Sequence, residues 1–449
     1  MLQYKFMAPP SKIMSDIFRK SDEPETEIID ENDPKFIEVL NNFHQEFLNH
    51  NIDGYFIYMN LLINFLENKT IPSDFPLFNL YQICEHLINS CQTFNGNPDF
   101  LDLTFHLIYV LTQNPFYCER FPISIIVTFL MNPLVYSSCQ WFFRILSNYI
   151  NESSACDFPP NLLASILGMI QIHCATEKQR LCISQFIEKL SEFNISPDSS
   201  VLILHIINIL TPSYKESTKE NLLVISISRT LLNLARNRCL HIETFNNLHL
   251  TDFITKRFEK YPDMAELLGY LSYHYHMNAV PITIFACHSF DEDKIIDNAE
   301  IYIWAMYNSI LINKGQLLEE GLGINIGPFI CKYLAQMINN FSYVVQRQSI
   351  LLISLICSLI PLDEFEEHGA PFPNVLELFM RFSEDGDDKE LLYNILQALE
   401  NMYKYFSTLH LRKDNPTIIT FNMCKDMLSE TCSTANQWEI VEVIKKFIL

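Results

Sequence analysis

The stretch that decides the fold runs from Gln346 to Phe406 and reads QRQSILLISLICSLIPLDEFEEHGAPFPNVLELFMRFSEDGDDKELLYNILQALENMYKYF. It predicts a buried helix, a break at His368-Gly369-Ala370, a helix that begins at a proline, an acidic turn and a second long helix. In that last helix the apolar residues recur at spacings of 4, 4, 3 and 4, which places them on one helix face: Leu391, Ile395, Leu399, Met402 and Phe406. The stretch therefore predicts a unit of helices that must bury its apolar stripes against neighbours.

Helix ends comparable to Leu399-Glu-Asn401 recur along the whole chain. We mark them at Asn64, Asn114, Asn148, Glu192, Asn233, Tyr270, Asn308, Ser358 and Asn401. Their spacings are 50, 34, 44, 41, 37, 38, 50 and 43 residues, and the mean of about 42 is within the range of helical repeats. Stacked helical units bury one continuous core, so the chain can be long without a globular centre. We predict one elongated helical body over residues 36–449, at least two-thirds helical and without a sheet.

Three segments resemble armadillo repeats in detail. Arg229-Thr-Leu-Leu-Asn233-Leu-Ala-Arg resembles the end of the long third helix of that family. Ile303-Trp304-Ala-Met-Tyr-Asn308, continuing to Leu318-Glu-Glu-Gly321, resembles a helix end, a loop and a break. His368-Gly369-Ala370-Pro-Phe-Pro373 resembles the opening of a unit, where Gly suits the break and Pro the first helical turn. The resemblance is best over residues 222–406. It implies an all-α, right-handed α-solenoid of about nine armadillo/HEAT-like repeats.

The resemblance also implies a binding site. In armadillo proteins the third helices line a concave groove, where Asn side chains bond the backbone of an extended peptide. The importin-alpha family adds a Trp four residues before that Asn, which is the spacing of Trp304 and Asn308. The residues implied to face one groove and to bind a partner are Arg144, Asn148, Arg229, Asn233, Trp304, Asn308 and Asn401. Two alternatives stay open: Trp304 is a core residue, and the arginines pair with acids of neighbouring units.

Charge narrows the class of partner. The 31 Lys and Arg residues against 53 Asp and Glu give a net charge of −22. An acidic body repels phosphate backbones and acidic membrane surfaces, and it is compatible with a basic protein or peptide. The same charge also serves solubility alone. Residues 1–35 include a dense acidic run between Asp22 and Asp33, and we predict that they form a disordered acidic tail.

The remaining sequence features point to an intracellular monomer. The 13 Cys residues form no Cys-x-x-Cys pair, which is typical of free thiols in a reducing compartment. The first residues contain no signal-peptide core. The apolar run from Gln348 to Leu362 is too short to cross a membrane, and we predict a buried core helix there. We predict a cytoplasmic location with shuttling to the nucleus.

No constellation in the sequence predicts catalysis, a metal or a cofactor. Gly321-Leu-Gly323-Ile-Asn-Ile-Gly327 misses the Gly-x-Gly-x-x-Gly spacing by one residue, and no predicted strand precedes it. Adjacent His and Cys residues, such as His173-Cys174, have no second pair at ligand spacing. We therefore predict no enzyme activity and no cofactor. The predicted function is a scaffold or adaptor whose groove binds a segment of a partner protein. The alternative is an importin-alpha-like receptor for basic nuclear-localisation signals, which would prefer peptides rich in Lys and Arg.

Overall fold

A computed structural model shows an all-helical protein. It describes residues 33–67, 69–70, 97–113, 139–150, 160–172, 176–211, 218–255, 262–277, 292–312, 326–363, 371–384, 387–434 and 437–447, together with residues 7, 9, 27, 28, 87, 118 and 365. Of these described residues, 83% are helical. None of the helices in these ranges is both long enough and apolar enough to cross a membrane.

The chain divides into two compact units. The first unit is Lys20–Leu250, and the second combines Met1–Arg19 with Thr251–Leu449. The helices of the first unit are α1 Pro34–Leu48, α2 Ile52–Leu66, α3 Pro98–Thr112, α4 Cys139–Tyr149, α5 Pro160–Ile172, α6 Glu177–Ser191, α7 Pro197–Leu210, α8 Thr218–Arg236 and α9 Ile242–Asn247. Helix α10, Leu250–Thr255, begins at the boundary. The second unit continues with α11 Pro262–Tyr275, α12 Glu292–Ile312, α13 Ile326–Met337, α14 Tyr343–Leu359, α15 Phe372–Ser383, α16 Lys389–Leu409, α17 Pro416–Thr434 and α18 Trp438–Ile444.

Several helices begin with the same local device, a polar cap followed by proline. Asp33, Asn97 and Ser196 precede Pro34, Pro98 and Pro197, and each cap accepts a hydrogen bond from a backbone N–H of the first turn. Proline suits the first helical position because its missing N–H would have no partner inside the helix. These starts are encoded locally, which explains why helix positions were readable from the sequence.

Within each compact unit some helices pack on the next described helix, as α1 does on α2, α2 on α3, α3 on α4 and α11 on α12. Others pack on their second neighbours in the chain. In the first unit α4 packs on α6 and α6 on α8, while α5 packs on α7. In the second unit α12 packs on α14 and α14 on α16, while α15 packs on α17. The face predicted for α16 is buried in this stack, as are residues 348–357 of α14. Helices α4–α8 and α12–α17 are therefore arranged in two interleaved rows.

Asn side chains form hydrogen bonds between helices that are 39 to 46 residues apart in the chain. Asn148 Nδ2 donates to the Tyr109 carbonyl, 39 residues earlier. Asn237 Nδ2 donates to the carbonyls of Ser191, Glu192 and Phe193, 44 to 46 residues earlier. Asn401 Nδ2 donates to the carbonyls of Cys357 and Ile360, 44 and 41 residues earlier. The Tyr109 carbonyl also accepts from the Gln113 N–H at the end of its own helix. At the ends of α6 and α14 the last carbonyls have no donor within the helix, and an Asn amide from a later helix supplies one.

Several helices end in a left-handed residue that is not glycine. His50, Arg238, His249, His276 and His410 have φ values between 48° and 57°. Glycine is the usual residue at this position, but the whole chain contains only 10 glycines. A histidine accepts this conformation more readily than most residues with a Cβ. The glycine breaks expected at Gly321 and Gly369 lie outside the described residues.

The predicted tail, residues 1–35, contributes contacts at its few described residues. Glu27–Ile28 forms a strand parallel to Lys69–Thr70, a link of two residues each rather than a sheet layer. Met7 is buried, with 7% of its surface exposed. The disordered acidic tail over residues 1–35 stays a prediction, and these contacts belong only to the few residues of it that the structure describes. The rest of residues 1–32 is outside the described part of the chain.

We expect Asn401→Ala to destabilise the second unit by about 1–2 kcal/mol, because two carbonyls at the end of α14 lose their donor. Ser407→Ala is the matched control on the same helix, since Ser407 bonds only to the Tyr403 carbonyl of its own helix. Urea unfolding, together with hydrogen exchange of α14, measures the difference. Equal effects of the two substitutions would show that the bond between units contributes nothing.

We expect the contribution of Asp388 to the free energy of unfolding to depend on pH. Arg347 donates to Asp388 and to Glu390, and Asp388 caps α16 by accepting from the Leu391 N–H. Burial favours the neutral carboxyl, but the bonds from Arg347 and from the Leu391 N–H outweigh it and lower the pKa of Asp388. Its contribution is therefore present above the ordinary Asp pKa and is lost as the pH falls through the lowered value.

The comparison of the chain with its Asp388→Asn variant tests this dependence. The difference in urea midpoint between the two should be largest at neutral pH and should shrink below about pH 4. Asp426→Asn serves as control, because 76% of the Asp426 side chain is exposed. A difference that stays constant from pH 7 to pH 3 would contradict the assignment.

Candidate functional site

The most specific polar site among the described residues holds the backbone of Met7. The Met7 N–H donates to Asn308 Oδ1 at 2.9 Å. The Met7 carbonyl accepts from Asn308 Nδ2 at 3.1 Å and from Trp304 Nε1 at 2.9 Å. One amide side chain thus satisfies both backbone groups of a residue about 300 positions away in the chain, and an indole N–H adds a third bond. We call Trp304 and Asn308 the α12 clamp.

The α12 clamp is fully buried. Trp304 and Asn308 have no exposed surface, and Met7 is 7% exposed. In such surroundings a hydrogen bond is electrostatically strong, and a lost partner is not replaced by water. The three bonds therefore hold Met7 at a single backbone position.

Two features of the fold set the geometry of the α12 clamp. Trp304 and Asn308 are one helical turn apart, and Asn308 Nδ2 also donates to the Trp304 carbonyl at 3.1 Å. On α11, a Cβ built on Gly269 would be 2.0 Å from Trp304 Cζ3, so the indole lies against the bare backbone of Gly269. The Tyr270 ring packs edge-on at 5.0 Å between centroids. Gly269 therefore lets the indole reach a depth at which Nε1 points to Met7.

The other predicted Asn residues contact neighbouring helices. Asn148 Nδ2 donates to the Tyr109 carbonyl and to Thr112 Oγ1 of α3. Asn233 Nδ2 donates to Ser191 Oγ at the end of α6, and Asn401 donates to the end of α14. Each of these bonds joins one helix to another, which is a role that we did not predict for these residues. That all seven predicted residues face one groove remains a prediction.

Arg144 stacks on aromatic rings of the first unit. Its guanidinium carbon is 5.1 Å from the Trp141 ring centroid and 5.7 Å from that of Tyr109. The His106 ring stacks on Trp141 at 3.7 Å and is 3.5 Å from Glu67. Burial lowers the pKa of His106, and the nearby Arg144 charge adds to this, whereas Glu67 and Asp102 oppose it. The stack gives Arg144 a cation–π role inside the unit.

Arg229 pairs with an acidic residue of another helix, as in the alternative that the sequence left open for the arginines. Its Nη1 is 3.5 Å from Glu188 Oε1 on α6, which lies earlier in the same compact unit, and the Arg229 side chain is 57% exposed. An exposed pair of this kind contributes little to stability. Arg144 and Arg229 thus have partners within the chain, one aromatic and one acidic.

Sequence reasoning missed Met7 and Gly269. Met7 belongs to the segment predicted to be disordered, and no local pattern marks a residue whose partner is about 300 positions away. The sequence does contain a signal for Gly269, because it lies inside a helical pattern. A glycine there destabilises the helix and indicates the close approach of another group. Met7 and Gly269 complete the site around the predicted Trp304–Asn308 pair.

Neither a protein-family model nor a curated protein matches this sequence. Within the described residues, no group of three His, Cys, Asp or Glu side chains is arranged to hold a metal ion. The function is therefore inferred from the geometry of the α12 clamp.

We expect Gly269→Ala to displace the Trp304 indole, because the new Cβ has no room beside the ring. The bond from Nε1 to Met7 would be lost, and overpacking of this kind costs about 1–3 kcal/mol. Gly168→Ala on α5 is the matched control, since nothing lies within 4 Å of its built Cβ, and a helical Gly→Ala change gains up to about 1 kcal/mol. Urea unfolding and tryptophan emission measure both effects. A Gly269→Ala chain as stable as the control variant would refute the tight contact.

Proposed function

We propose that this protein is a non-enzymatic helical scaffold that binds an extended segment of a partner protein at the α12 clamp. The observation that supports it is the set of three hydrogen bonds to the backbone of Met7. An amide side chain that both donates and accepts can hold a peptide backbone without reading its side chains. A segment that places a backbone N–H and a carbonyl in the position of those of Met7 can make the same bonds.

The architecture proposed for this scaffold is a right-handed α-solenoid of armadillo/HEAT-like repeats. Two features support it: alternate helices stack in rows within each unit, and polar bonds join positions 36 to 46 residues apart. Each unit in such an array contacts its neighbours, which leaves helix ends and faces available for a segment.

In the structure, the occupant of the α12 clamp is the chain's own Met7. A partner segment must therefore displace the N-terminal segment, which competes as a tethered ligand. Tethering corresponds to an effective concentration in the millimolar range for short flexible linkers. Partner binding is accordingly expected to be weak while Met7 is bound and stronger when it is released.

The contacts of Trp304 favour a general adaptor over a receptor for basic signals. The importin-alpha resemblance implied an indole wall with a Lys over the ring. Here the indole has no exposed surface, lies against Gly269 and uses its N–H instead. The alternative function remains a prediction, and it requires a basic segment to bind by another contact.

A peptide added to the full-length chain tests the proposal. In the Met7→Pro variant the clamped N–H is absent, so the N-terminal segment loses a bond and leaves the α12 clamp. A fluorescent peptide with the sequence of residues 1–12, MLQYKFMAPPSK, should bind this variant at least about tenfold more tightly than it binds the unchanged chain. Adding Asn308→Ala should weaken peptide binding by about tenfold or more, because two bonds to the peptide backbone are lost. Fluorescence anisotropy measures the affinities.

The matched control is Asn401→Ala in the Met7→Pro background. Asn401 is an Asn at a corresponding helix position, but it bonds to α14, so peptide affinity should not change. Circular dichroism verifies that each variant is folded. If the peptide does not bind the Met7→Pro chain, or if it binds equally well with Asn308→Ala, the proposed function is wrong.

A further inference from the structure

Resting on the proposed function, we propose that the α12 clamp selects extended segments by the residue it holds. That residue must have a free backbone N–H and an uncharged, apolar side chain, as Met7 does. This defines the partner as an extended segment with an apolar anchor residue. The negative net charge of the protein had suggested a basic partner instead.

The side-chain requirement follows from the burial of Met7. Only 7% of its surface is exposed although its chain neighbours include Lys5 and Pro9. Trp304 and Asn308, which hold its backbone, are themselves without exposed surface. A charged side chain at this position would lose its hydration, which is costly without a paired charge. An unbranched apolar chain such as the methionine thioether fits irregular space with little strain.

The N–H requirement follows from Asn308. Its Oδ1 accepts from the Met7 N–H at 2.9 Å while its Nδ2 is used by two carbonyls, those of Met7 and Trp304. Proline or an N-methylated residue would leave Oδ1 buried without that donor. Because Asn308 has no exposed surface, water cannot take the place of the missing N–H.

The extended conformation follows from the same bonds. Both backbone groups of Met7 are bound by side chains of α12, so neither is available for a helical bond. The following sequence, Ala8-Pro9-Pro10, disfavours a helix as well, because a residue before proline is restricted to extended conformations. A partner segment that is helical at the anchor is therefore excluded.

Variants of the peptide test the selectivity without altering the protein. We use the full-length Met7→Pro chain and peptides of residues 1–12 that differ only at position 7. Norleucine at this position should bind within about twofold of Met, since it keeps the shape and lacks only the sulfur. Lys or Glu should bind at least about tenfold more weakly because their charges are buried. N-methylated Met should also lose about tenfold or more, because the donor is missing.

Each outcome separates the inference from the function on which it rests. If the Lys peptide binds as tightly as the Met peptide, the apolar anchor is wrong while segment binding stands. If N-methylated Met binds as tightly as Met, the N–H requirement is wrong. If none of the peptides binds, the proposed function itself fails, because the α12 clamp then holds only the chain's own segment.

Discussion

The structure depends on the need to satisfy the backbone groups at helix ends. Each helix leaves its last carbonyls without intrahelical partners, and stacking helices into rows removes water from many of these ends. In this chain an Asn from a later helix supplies the missing donor at two such ends, Asn237 at the end of α6 and Asn401 at the end of α14. Asn148 adds a second donor to a carbonyl of α3 that its own helix already satisfies. These bonds join positions 39 to 46 residues apart in the chain.

The α12 clamp is a departure from this arrangement. Helix α11 closes its own end: His276 is left-handed, the Met277 N–H donates to the Leu271 carbonyl, and Ser272 Oγ donates to the Met277 carbonyl. Asn308 belongs to the same series of helix-end positions as Asn148 and Asn401, but its amide is directed to Met7. At the other positions the Asn side chain joins two helices. At Asn308 it binds a segment near the start of the chain. The proposed binding function therefore uses a structural device of the fold at a position where the fold does not need it.

Burial distinguishes this site from the other polar clusters. Arg229 and Glu188 form an exposed pair that salt would screen. Arg144 is held by aromatic rings, and Arg347 by two carboxylates at the start of α16. Each of these charges is paired with other side chains. At the α12 clamp, the groups that are satisfied belong to the backbone of a separate segment, and such backbone bonds can be transferred from one segment to another.

The sequence by itself determined the helices and the apolar face of α16, because caps, prolines and spacings of three and four residues act over one or two turns. The resemblance to the importin-alpha family singled out Trp304 and Asn308 as a pair, and residues four apart share a helix face. Only the tertiary structure decided what each Asn contacts. Asn148, Asn233, Asn308 and Asn401 have the same chemistry and similar local sequence positions, yet three bond to neighbouring helices and one to Met7. That difference depends on how α11 ends, on the space left by Gly269 and on a segment about 300 residues away, and local sequence patterns contain no information about contacts at that separation.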